Sequence, residues 1–565
     1  MSELTNTIEA PPVAERSFIS HARLIGAITL VSRLVGLARE MVGTYFFGAN
    51  AVWAAWKVAF TIPNLFRKLF GEGALSAAFV PLYAQALKRG DRESARRFAS
   101  DSVNVLVGIL VTLTIVGELI LLALAWFAPL RSDHLLAVRL TMVMLPYVLL
   151  VCGTAFLSAI LQVHGRFAAA TATAVVLNVC LIVAIVLAAR VFDLSGAAGQ
   201  TSAVFWLSWA VLVSGVIQVA MLIPSLRAAG FRFSFHPYMF SPGVRRMLEL
   251  TGPVAVGAGV LQLGVLLDKG IAIALAEGPG QTHVHPLGHA VRLPMAEGAA
   301  ARLDLAQFMY QFPLGVFAIA LATAIFPKLS EEAAVRTGGP GDAASGRTVH
   351  ASDEFRAVMR RGVEASLFLG LPASAGMALV AAPSARLLFQ HGRFTAEDAA
   401  WVALSTALYS SAVWAFSLLQ IVNRAYYALH DAWTPLKWVI INLILNLVIE
   451  LPLLWTPLRE SAMAVGTLVS FSIQAVAMLW VINRRAGGIG LRRVAPGVAK
   501  MLVATLAMTG VCLAVILSPL YPGGSGKAVW AMQVAMVVGV GAAVYFAACW
   551  AMGVRPRLRR GAPAE

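Results

Sequence analysis

Seven charged side chains stand in a stretch, 32–81, that is otherwise apolar enough to sit in a bilayer: Arg33, Arg39, Glu40, Lys57, Arg67, Lys68 and Glu72. A charge at the centre of a spanning helix costs roughly 2.5 to 3.5 kcal/mol on insertion scales, so intramembrane charges mark ion or substrate pathways. On a helix Arg33 and Glu40, seven apart, share a face, while Arg39 lies about 120° from Arg33. Glu40 is thereby placed to pair one guanidinium, and Lys68 and Glu72, four apart, have the spacing of a local ion pair. Guanidinium groups take phosphate oxygens in a two-pronged grip and stay charged in a low dielectric. The pattern fits a wet cationic chamber for a phosphate-bearing headgroup. The bland alternative, long side chains snorkelling to the headgroups, suits Lys57 and Lys68.

A second set is Asp268, Asn446, Glu450 and Thr467, hard oxygen donors within later apolar runs. Such a set suits an alkali cation. The alternative is a packing contact of Asp268 with Lys269 or Glu450. His283, His285 and His289 have a spacing that a metal could use, yet they lack a fourth ligand or a helical frame. GGSGKA (523–528) lacks the full phosphate-loop pattern, so no ATP site is expected and energy should come from an ion gradient or the membrane potential. No nucleophile–base pair stands out. The residues describe a transporter and not an enzyme, with no cofactor beyond a possible coupling sodium ion.

The elements that must position these groups are membrane helices. The chain has 565 residues, 59% hydrophobic and 13% charged, whereas soluble domains are about 25% charged. Runs of the length a bilayer requires recur about fourteen times, the first at 22–46 and 51–85 and the last at 500–519 and 529–552. Pro63 and Gly71–Gly73 should break the second run, and prolines 146, 253, 313 and 372 mark further kinks. The net charge of +16 lies mostly in short loops. Counted alternately, about 29 basic residues fall on one side and about 9 on the other, which puts both termini in the cytosol. No basic groove with interleaved aromatics suggests nucleic acid. Cys152, Cys180, Cys512 and Cys549 lie in apolar runs and read as small hydrophobes.

The chain also echoes itself. TIPNLF (61–66) leading to AFVPLYAQALK (78–88) resembles QFPLGVF (311–317) leading to AIFPKLSEEAA (324–334). The expected fold is all-α and polytopic, with two six-helix lobes around a central cavity and two extra C-terminal helices. Its parts are a cytosolic tail (1–21), an N-lobe (22–228), a C-lobe (229–485), a C-terminal helix pair (486–554) and a basic tail (555–565). Two loops, 276–303 outside and 328–361 inside, are longer than a connection needs.

SRLVGLARE, IPNLFRKLFGEGALSAAFVP, QFPLGVFAIALATAIFPKLS, LFQHGRFTAED and YYALHDAWTP resemble the MurJ (MviN) lipid II flippase family, within the multidrug/oligosaccharidyl-lipid/polysaccharide flippase superfamily. The resemblance implies alternating-access movement of undecaprenyl-diphosphate-linked peptidoglycan precursor across the cytoplasmic membrane. Ser32, Arg33, Arg39 and Arg67 would contact diphosphate and sugars. Glu40, Lys68 and Glu72 would gate or pair, and the last two spans would take the polyprenyl tail. A sodium site would use Asp268, Asn446, Glu450 and Thr467. Membrane lipid and the cell-wall synthesis machinery are the implied partners. Two positions depart from the family: Ala54 replaces an acidic residue, and Phe308 a cavity arginine for which Arg302 and Asp304 are the nearby substitutes. Competing readings are an exporter of small molecules or of another lipid-linked oligosaccharide, and a polyprenyl-phosphate-processing enzyme. The first should favour cavity carboxylates, and the last needs an acidic metal-binding loop that is not visible.

Overall fold

A computed structural model describes residues 12–554 apart from 72–73, 89–91, 232, 234–239, 285–288, 312–351, 430 and 432. The chain is helical nearly throughout, as a bilayer demands, because helices satisfy their own backbone hydrogen bonds. The first charged stretch forms α1 (Pro12–Phe47), α2 (Ala51–Phe66), a π turn at Arg67–Gly71, and α3 (Ala74–Lys88). Then come α4 (Arg92–Phe127), α5 (Ser132–Met144), α6 (Tyr147–Val163), α7 (Phe167–Val191), α8 (Ala197–Ala228) and α9 (Pro242–Ala274). Residues 299–311 are helical (α10). The remainder is α11 (Asp353–Phe389), α12 (Ala396–Ser410), α13 (Val413–Ala428), α14 (Trp433–Leu453), α15 (Ala462–Arg485), α16 (Leu491–Leu517) and α17 (Lys527–Ala551).

Among the described residues eight helices are long and apolar enough to cross a membrane, or up to ten if each of two bent pairs is one span. Their outward faces carry exposed Leu119, Trp209, Val216, Val476 and Leu506. An apolar exterior of that extent is suited to hydrocarbon. The chain is a multi-pass membrane protein. The 46° bend between α5 and α6 falls at the expected Pro146, whereas α11 continues through Pro372. A 41° bend between α12 and α13, at Ser411–Ala412, has no proline to announce it.

The chain divides into two compact units, Met1–Phe47 with Ala51–Leu266, and Gly48–Asn50 with Leu267–Glu565. In the first, α1 lies along α7, α7 along α8, and α2 against α5. In the second, the long α11 contacts α12, α13, α16 and α17. Tyr545 Oη donates to the Phe368 carbonyl (2.8 Å) and Tyr426 Oη to that of Met478 (3.0 Å), so its buried hydroxyls are satisfied.

Two boundaries differ from the sequence reading. α1 is already helical at Pro12, and α11 begins at Asp353 where the apolar run predicts 362. The extension of α11 is amphipathic and well capped: Ser352 Oγ accepts from the Phe355 amide at 2.9 Å, with Asp353 and Glu354 in the first turn. The long 276–303 loop contains a small antiparallel hairpin, His283–Val284 against Val291–Arg292. Trp455 Nε1 donates to the carbonyl of Arg292 at 3.3 Å and ties the hairpin to its unit.

Candidate functional site

In the first unit, α1 carries Ser32, Arg33, Arg39 and Glu40, and α2 carries Lys57 with Arg67 at its end. Glu40 is the hinge of the cluster. Its Oε1 takes Arg39 Nη2 and its Oε2 takes Lys57 Nζ. Glu40 and Lys57 are buried, at 3% and 4% exposure, while Arg39 retains 17%. The snorkelling reading of Lys57 is therefore wrong. Its ammonium does not reach for headgroups, because a buried carboxylate on the neighbouring helix already compensates it.

Gly43 permits this approach. A Cβ built there would lie 2.6 Å from the Trp53 ring, so only glycine lets the side of α1 meet that indole. Phe47, Trp53, Trp56 and Phe60 stack in sequence, with centroids 4.6, 4.9 and 5.2 Å apart. Lys57 Nζ stands over the Trp53 ring and the Arg39 guanidinium over Phe60, each 5.7 Å from the centroid. The stack thus fixes both cations beside the shared carboxylate.

Arg33 and Ser32 are half-buried, and Arg33 makes no hydrogen bond or ion pair among the described residues. Arg67 is held by its Nε donating to Asn64 Oδ1 at 2.9 Å. It opens the π turn, a widening found often at functional positions. Lys68 is half-buried in the same turn, and Glu72 lies outside the described residues. Arg39, Glu40 and Lys57 are brought into contact. Arg67 stands about 15 Å further along α2 from Lys57. Ala54 is buried and adds no charge.

In the second unit, Asn446 Nδ2 donates to Glu450 Oε2 (2.8 Å) and to Asp268 Oδ1 (3.5 Å). Asn446 Oδ1 and Glu450 Oε1 are buried with no hydrogen-bond partner in the protein. A Cβ on Gly466 would come within 3.0 Å of that Asn446 oxygen, which puts the neighbouring buried Thr467 alongside the cluster. Orphaned hard oxygens in one small region fit an alkali cation. Asp268 does not rely on Lys269, which pairs with Asp304 instead.

Neither proposed substitute at Phe308 is available. Asp304 is engaged by Lys269, and Arg302 is 5% exposed and fully occupied by other groups. Its Nε donates to Glu460 (2.6 Å), and its Nη1 to Asp398 (3.0 Å) and to the Glu297 carbonyl (3.0 Å). Sequence reasoning missed this clamp and the Lys57–Glu40 pair alike. The only signal for the latter was a lysine in an otherwise apolar span.

A family model described as "Lipid II flippase MurJ" matches residues 44–532. Probable lipid II flippases of Rhizobium tropici and Vibrio cholerae are 31% and 30% identical over 96% and 94% of this chain, and over 96% and 95% of their own. Among solved structures, one described as lipid II flippase MurJ in an inward closed conformation matches with a TM-score of 0.71 at 19% identity, covering 94% of this chain and 98% of that one. An inward-facing MATE transporter of the MOP superfamily gives 0.61 at 15% identity, covering 81% and 98%. By model and by relatives, the chain belongs to the MurJ lipid II flippase family.

Proposed function

We propose that this chain moves undecaprenyl-diphosphate-linked peptidoglycan precursor from the cytoplasmic to the periplasmic leaflet by alternating access. The observation that carries this reading is the cationic cluster on α1 and α2. Two cations share Glu40 beside a stacked aromatic column, with Arg33 one and a half turns before Arg39 on the same helix. Arg33, Arg39 and Arg67 grip the diphosphate oxygens, and Ser32 meets the sugars. Glu40, Lys68 and Glu72 pair and gate. α16 and α17 accept the polyprenyl tail, and both termini are cytosolic in the inner membrane. A small-molecule exporter is less favoured, since cationic drugs need carboxylates where this unit gathers arginine and lysine.

Asp268, Asn446, Glu450 and Thr467 would hold sodium, which supplies a compensating positive charge among buried oxygens. The chain's own part is to present Asn446 Oδ1 and Glu450 Oε1 without protein donors. Movement of one charge through 100 mV yields about 2.3 kcal/mol, enough to bias a two-state carrier.

The test is rescue of cells depleted of their own flippase by the unaltered chain and by Arg33→Ala, Arg39→Ala and Arg67→Ala. Rescue by the unaltered chain and loss with the three variants is expected. Failure of the unaltered chain to rescue or to bind lipid II overturns the function. Full rescue by all three variants overturns the phosphate grip.

A further inference from the structure

Lys57 has no part in the reading above, yet it is a buried cation on the helix that faces Glu40. A carboxylate opposite an arginine ordinarily takes two parallel N–H donors, one on each oxygen. Here that arrangement is blocked. Lys57 Nζ holds Oε2, so Arg39 reaches Glu40 through Nη2 and Oε1 alone. Arg39 Nε and Nη1 make no hydrogen bond among the described residues. The Phe60 ring beneath the guanidinium leaves its edge as the donor surface.

We propose that Lys57 is a positioning residue for substrate phosphate: by occupying one oxygen of Glu40 it keeps Arg39 from closing a fork on that carboxylate, and so leaves Arg39 donors for the diphosphate. The proposal rests on the reading that Arg39 grips phosphate. It assigns the extra cation of this site to α2, where Arg302 and Asp304, tied into other bonds, supply none. Without Lys57, Glu40 swings both oxygens onto Arg39 and competes with the ligand for the same N–H groups.

The test is a double-mutant cycle on the purified full chain, with lipid II and inorganic diphosphate as separate probes. Lys57→Met should weaken binding by about ten-fold, the worth of one charge-assisted hydrogen bond. In a Glu40→Gln background the same change should cost less than about three-fold, because no carboxylate remains to capture Arg39. Lys57→Arg, which keeps a cation on Oε2, should bind nearly as the unaltered chain does. Unchanged binding by Lys57→Met, or an equal loss in both backgrounds, overturns the proposal. Where Lys57→Met alone is not recovered folded, the comparison of Glu40→Gln with Glu40→Gln/Lys57→Met decides it. Absence of lipid II binding by the unaltered chain sinks the flippase reading, while the diphosphate arm still decides the part assigned to Lys57.

Discussion

Arg302 Nε and Glu460 Oε1, 158 positions apart in sequence, meet at 2.6 Å inside the second unit. The same guanidinium also reaches Asp398 at 3.0 Å, so one arginine joins the start of α10 to the segments opening α12 and α15. Removing one partner of such a buried pair costs about 3–5 kcal/mol, mostly by stranding the other charge. Arg302→Met should therefore lower the melting temperature in detergent sharply, and adding Glu460→Met should recover part of the loss. Equal melting of Arg302→Met and the unaltered chain would show that the clamp carries no stability.

Arg39→Lys separates charge from geometry. An ammonium keeps the positive charge but lacks the planar fork. Lipid II binding should fall about ten-fold, with membrane levels of the protein unchanged. Wild-type affinity in this variant would mean that a point charge suffices.

Sodium should stabilise the fold where potassium-free choline chloride does not. A ligand at a hundred times its Kd adds about 2.7 kcal/mol to the state that binds it. Asp268→Asn and Asn446→Leu should abolish the difference in melting temperature between the two salts. A chain equally stable in both salts has no sodium site.

Gly43→Ala should destabilise the first unit, because its methyl group meets the Trp53 ring at 2.6 Å. Overpacking of this kind costs about 1–3 kcal/mol. Gly26→Ala, on the same helix with nothing within 4 Å of the added Cβ, is the control. It should melt no lower than the unaltered chain, since alanine is the better helix former.

His164, just past the end of α6, shares a 3.0 Å hydrogen bond with Tyr83 Oη. Burial, and then Arg166 beside it, hold its pKa below the ordinary value. The unfolded chain therefore takes up the proton first, and stability falls as pH drops from about 6.5 toward the folded value. His391 is depressed in the same sense, chiefly by burial. Melting between pH 7 and 5 should consequently show a shallower slope in His164→Gln without becoming flat. An unchanged slope would remove His164 from the account.

Much of this architecture was legible because hydrocarbon is an unforgiving solvent. Long apolar runs become helices, Pro146 bends one of them, and the break after Phe66 falls between Pro63 and Gly71 as expected. Asn446 and Glu450 were readable as neighbours because a four-residue spacing puts them on one face. The Glu40–Lys57 pair was not, since it depends on how α1 and α2 approach, and Gly43 reveals that only beside Trp53. Nor was the role of Arg302, whose partners at 398 and 460 come from distant stretches. The 41° bend at Ser411–Ala412 carries no residue that announces it.

The wide turn at Arg67–Gly71 is in effect a surplus residue carried within the path from α2 to α3. Excising Leu69 would tighten that segment to ordinary pitch and rotate everything beyond it by about 100°. The five residues thus set the angular phase between Lys57 and the whole of α3, so the length of this turn sets the alignment as firmly as any contact.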